Sequence, residues 1–187
     1  DLCEAYLSEK WELLLPSKAY DESLNDNSAY EEPFDGQKYP KFPHDLPELL
    51  KENGKGLIKA TPYGNTLTKD MAIAAIEGEG LGEDIHTDLL AVSFSSPDYV
   101  GHQFGTDSKE IQDTYLRLDR DLASFLSYLD DLIGKENVLV FLTADHGAVR
   151  TPSYLKDRKI PAGYFEAEEP IRALKQFLQN IYGFGDW

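Results

Sequence analysis

The chain has 187 residues, 41% hydrophobic and 12% aromatic, which suits a folded domain and excludes a disordered tract. A formal charge of -16, from 34 acidic and 18 basic residues, repels polyanions, and so excludes a general nucleic-acid binder or an anionic-membrane binder. The lone cysteine, Cys3, excludes an intrachain disulfide, and no apolar run approaches the ~20 residues that membrane insertion needs.

In chain order, residues 1–65 read as an irregular, loop-rich cap or insertion. A short helix is expected over 5–15, stopped by Pro16. Residues 17–47, rich in Asp, Asn, Ser, Pro and Gly, read as a long surface excursion. One or two helical turns over 45–51 should end near Gly54.

Residues 66–187 read as an α/β metal-binding core, incomplete as a domain. A helix is expected over 66–79, with Leu67, Met71, Ala74 and Ala75 on its inner face. Residues 88–94 (DLLAVSF) and 138–143 (VLVFLT) are apolar runs of strand length. Between them, residues 107–133 repeat apolar positions every three or four, as an amphipathic helix does. Asp107 and Glu110 suggest a capping box at its start, and Gly134 a stop. Strand, long helix, strand predicts a βαβ unit in a mostly parallel sheet flanked by helices. An incomplete sheet leaves an open edge that invites pairing into a homodimer. A last helix is expected over 170–182.

In open α/β sheets, ligands bind beyond the carboxyl ends of the strands. The first run is followed by SSPDYVGHQFG, which holds Asp98 and His102. The second is followed by ADHG, which holds Asp145 and His146. Carboxylate oxygen and neutral imidazole nitrogen both bind zinc at about 2.0–2.2 Å. Asp98 and His102 stand four apart, so one helical turn aims both the same way. Adjacent Asp145 and His146 need a bend to converge, and Gly147 permits one. Taken singly, each is more simply a turn, surface or core residue; two Asp/His pairs after two apolar runs favour a metal or catalytic site.

The other polar residues are most simply structural or solvated. His44 and His86 carry no partner pattern. Asp113, Arg117, Asp119, Arg120 and Asp121 read as an ion-paired, solvated helix face. Residues 77–84 have the wrong spacing for an EF-hand.

SSPDYVGHQFG followed by LTADHG resembles the metal-binding core of the alkaline phosphatase superfamily, in its type I phosphodiesterase/nucleotide pyrophosphatase branch. Residues 58–79 and 113–130 are similar to its bacterial phosphate-irrepressible members. The likeness covers most of 58–165 and, more weakly, 11–45. It implies a phosphate-ester hydrolase with two zinc ions, one held by Asp98 and His102, the other by Asp145 and His146. It also implies a small-molecule phosphate ester as substrate and a periplasmic or extracellular location. Family members are far longer. Their early aspartate, threonine or serine nucleophile and late metal-binding histidine have no match here, and Thr143 is not that nucleophile. The chain, which starts at Asp1, is therefore expected to be a fragment, inactive alone; a sulfatase or phosphodiesterase on the same site, or a non-catalytic metal-binding module, are the alternatives.

Overall fold

A computed structural model describes residues 1–187. Seven α-helices follow in order: α1 Leu2–Tyr6, α2 Leu46–Asn53, α3 Tyr63–Glu79, α4 Ser96–Phe104, α5 Lys109–Ile133, α6 Pro152–Asp157 and α7 Glu168–Tyr182. Residues 1–150 and 151–187 form two compact units.

The expected parallel sheet is absent, which corrects the α/β reading. Residues 88–94 and 138–143 are not strands, and the one β-bridge joins Trp11 to His44. A strand exists only where another backbone pairs with it, and these runs pair with none. Val92 and Val138 pack against helices, but Leu89, Leu139, Phe141 and Leu142 are each at least 80% exposed. A continuous apolar run reports a demand for burial, which the sequence meets here only in part.

The helices form where expected in kind, with shifted bounds and faces. The first is Leu2–Tyr6, capped by Asp1 accepting from the Cys3 amide, and it ends well before Pro16. α3 turns Ala72 and Ile76 inward and leaves Met71 exposed, so the expected inner face is rotated. It stops at Gly80, whose φ of 64° is left-handed, with the Leu81 amide bonding back to the Ile76 carbonyl. Ser108, not Asp107, caps α5 by accepting from the Ile111 amide. Glu110 is thus free of the expected capping box and lies fully buried.

Two apolar clusters hold the first unit. One gathers Leu7, Trp11, Phe34, Leu46, Leu49, Leu57, Ile58, Val100, Phe104 and Ile111. The other joins α3 to α5 through Ala72, Ile76, Phe125 and Leu129. Trp11 is the hub of the first, meeting Phe42 and Phe104 edge-on at ring-centroid distances of 5.3 and 6.2 Å. Its indole donates to Asp113 on α5 at 2.7 Å. That carboxylate also accepts from the Leu14 amide at 2.8 Å, the Arg117 guanidinium at 2.6 Å and the Tyr20 hydroxyl. Asp113 is 0% exposed, so it is a buried tie rather than part of a solvated face. The supposed excursion over 17–47 is consequently sewn to α5 and contributes Phe34 to the core.

The first cluster also positions α4. Val100 and Phe104 anchor its inner side. Gln103 ties its end to the Glu32 and Pro33 carbonyls, both at 3.0 Å. Gly64 lets the start of α3 approach it: a Cβ there would fall on Ser96 Oγ and lie 2.8 Å from the Ile58 carbonyl.

In the second unit, α7 carries Ile171, Leu174, Phe177 and Ile181 along one stripe, each about half exposed. Its C-terminal end is followed by Trp187, whose indole donates to the Gly183 carbonyl at 3.2 Å.

Candidate functional site

Asp98 lies in the first turn of α4, where the exposed amides at the helix start favour a carboxylate. Pro97 suits that first turn because its missing N–H has no helical partner to lose. One turn on, His102 presents Nε2 to Asp98 Oδ1 at 3.5 Å. The expected geometry of this pair, four apart on one helical face, is what the helix delivers.

The second pair arrives by a different route. The backbone bends at Asp145, and His146 follows with its amide donating to Asp145 Oδ1 at 3.0 Å. His146 Nδ1 lies 3.0 Å from the Gly147 carbonyl, to which it donates as the protonated nitrogen. That leaves Nε2 directed at carboxylates, 3.6 Å from Asp145 Oδ2 and 3.8 Å from Asp98 Oδ1. The hydrogen bond to Gly147, then the charges of Asp145 and Asp98, hold the His146 imidazole above its ordinary pKa.

The structure therefore brings the two pairs together. Asp98 Oδ1 is the shared point, within 4 Å of both imidazoles. All four side chains are open to solvent, with His102 at 80% and Asp145 at 88% exposed. The donor types fit a divalent cation: carboxylate oxygens and imidazole nitrogens with no competing lysine or arginine among their ion-pair partners. The fit is in chemistry and convergence only. No three His, Cys, Asp or Glu side chains surround a common metal position.

Two features have no clear signature in the sequence. Arg150, four residues past His146, donates to Asp107 Oδ1 at 3.1 Å and links the two loops at their bases. Behind α4, the fully buried His44 places Nε2 3.1 Å from Glu110 Oε1 and Nδ1 3.0 Å from Gln37 Oε1. Burial lowers the His44 pKa to about 4 and raises that of Glu110 to about 8. Both partners are then neutral, with the Glu110 carboxyl donating to Nε2 and Nδ1–H donating to Gln37. Glu31 is likewise raised to about 8 by burial and then by Glu110. His86 stays outside both groups, on the exposed stretch before residue 88.

The sequence profile described as type I phosphodiesterase / nucleotide pyrophosphatase matches residues 7–178. The chain is 51% identical over 185 residues to a calcium-transporting ATPase of Myroides odoratus, covering 98% of this chain and 34% of that protein. It is 51% identical over 175 residues to alkaline phosphatase PafA of Elizabethkingia meningoseptica, covering 92% and 32%. The crystal structure of wild-type alkaline phosphatase PafA superposes with a TM-score of 0.86 at 45% identity, over 97% of this chain and 34% of that one. The chain thus spans about a third of the length of these relatives.

Proposed function

The chain belongs to the type I phosphodiesterase/nucleotide pyrophosphatase family, and from that premise we propose that it supplies metal ligands to a hydrolase of phosphate esters, of the alkaline phosphatase kind. Asp98 and His102 would hold one divalent cation, zinc by preference, and Asp145 and His146 a second. The observation that carries this reading is the meeting of His102 and His146, from separate loops, on Asp98 Oδ1. Bound there, the cations would supply positive charge for the transferring phosphoryl group and the leaving oxygen. The chain's own contribution is placement: α4 fixes Asp98 and His102 against the core, and the 145–147 bend brings up the second pair.

A catalytic zinc usually keeps three protein ligands, and each pair here provides two. The nucleophile belongs to no residue beside the cluster. Thr143 Oγ1 donates to the neighbouring Ala144 carbonyl at 3.3 Å and has no carboxylate or imidazole partner. The chain alone should therefore bind zinc weakly and turn over little. The substrate of the whole protein would be a small phosphate ester, and its place the periplasm or the medium. The name of the matching family favours a second reading, hydrolysis of a phosphodiester or nucleotide anhydride at the same ligands.

The test is a zinc titration of the full chain followed by the NMR signals of its histidine rings, with assays on p-nitrophenyl phosphate and bis(p-nitrophenyl) phosphate. Signals of His102 and His146 should move while that of buried His44 stays. No response from either ring sinks the ligand assignment. Turnover in the enzymatic range of ~1–1,000 s⁻¹ sinks the reading of an incomplete site, and faster cleavage of the diester selects the second.

A further inference from the structure

We propose that Arg150 is a positioning residue: its guanidinium, gripping Asp107, tethers the bend carrying Asp145 and His146 against the helix carrying Asp98 and His102. The inference rests on the metal-site reading above, and it concerns what keeps the second half of that site in reach of the first.

Residues 139–150 form neither helix nor strand, and every one is exposed. Packing therefore does not hold His146 near Asp98. Upstream, the last packed residue is Val138, against the second apolar cluster. Eight residues separate it from His146, a reach of roughly 29 Å at the extended rise per residue. Downstream, Arg150 bonds Asp107 at 3.1 Å. Four steps from Arg150 to His146 limit the reach to about 15 Å.

Asp107 is a firm post. Its side chain is 19% exposed, its carbonyl accepts from the Leu24 amide at 2.7 Å, and the next residue is Ser108, the buried cap of α5. It also stands three residues after α4 ends, so the post and the first ligand pair move together. Halving the reach shrinks the volume His146 explores by nearly an order of magnitude, which raises its effective concentration at Asp98. The pair is partly solvated, and exposed ion pairs are worth at most about 1 kcal/mol. The expected effect is therefore about two- to fivefold rather than all-or-none.

Two measurements separate the tether from the metal site. In metal-free chain carrying Cys3→Ser, Tyr99→Cys and Gly147→Cys, a short bismaleimide reports how often the loop meets α4. Adding Arg150→Ala should slow crosslinking about two- to fivefold, and Arg150→Lys should restore most of it. In the unlabelled chain, zinc titration of Arg150→Ala should weaken the His146 response by a similar factor while His102 and the unfolding midpoint hold. An unchanged crosslinking rate overturns the proposal. So does a fall in unfolding midpoint with equal weakening at both rings, the mark of general destabilisation. If neither ring of the unsubstituted chain answers zinc while crosslinking still depends on Arg150, the tether stands and the ligand assignment falls.

Discussion

Trp11 and Asp113 lie 102 positions apart and meet in the core at 2.7 Å, indole N–H to carboxylate. The bond joins the N-terminal segment to the long helix α5, and three more donors complete the carboxylate's shell. A buried charge is tolerated only when so surrounded. Asp113→Ala strands four donors, one of them the Arg117 guanidinium, and should destabilise the chain by about 3–5 kcal/mol in chemical denaturation. Trp11→Phe removes one donor and part of the packing, and should cost about 1–3 kcal/mol.

Stability should fall as pH rises from neutrality. Glu31 and Glu110 keep their protons in the folded chain up to about pH 8, against an ordinary value of 4.5. The folded state binds more protons across that window, so their contribution is complete below about pH 4.5 and lost as pH climbs through 8. His44 acts in the opposite sense: its folded value of about 4 against 6.5 makes its contribution complete above 6.5 and lost toward pH 4. Between pH 6.5 and 8 only the glutamates count. The unfolding midpoint should decline over that range, and Glu110→Gln, which still donates to His44, should flatten the decline. A flat profile in the unsubstituted chain refutes the assignment of protons to these two carboxyls.

Asp98 is the point on which both imidazoles converge, and it is half exposed. Asp98→Ala should leave the unfolding midpoint within a degree or two, because the side chain supports no packing. Zinc affinity should drop by at least the ~10-fold typical of losing even an outer partner of a metal site. Equilibrium dialysis measures it; unchanged zinc uptake excludes Asp98 as a ligand.

The bare run at 139–142 should make the chain adhesive. Leu139, Val140, Phe141 and Leu142 expose a contiguous apolar patch of the kind that drives association. Phe141→Glu with Leu142→Lys should lower dye binding by apolar probes and shift sedimentation toward monomer, with stability changed by no more than about 0.5 kcal/mol. A homodimer that survives both substitutions would have to form elsewhere.

The sequence revealed the site more fully than the architecture around it. Asp98 and His102 declared their geometry because spacing of four on a helix fixes a common face. Asp145 and His146 declared a bend because neighbours in extended chain diverge. The sheet was misread because apolar runs at 88–94 and 138–143 state a need for cover, whereas strand formation depends on a partner backbone that periodicity does not encode. Asp113 and Glu110 looked like surface charges, since an amphipathic pattern marks which residues are apolar and cannot mark which acids will find four donors or a histidine. Arg150 was invisible for the same reason: its partner lies 43 positions upstream, and no local pattern pairs them.

One half of the candidate centre is built on a helix bolted to the core by Val100, Phe104 and Gln103; the other hangs on an irregular strip with a single ionic mooring. Warming or added salt will slacken the second long before the first. The centre is thus a fixed jaw facing a hinged one, so that an arriving cation meets Asp98 and His102 ready-set and must draw Asp145 and His146 in afterwards, paying in lost loop freedom for each contact it gains.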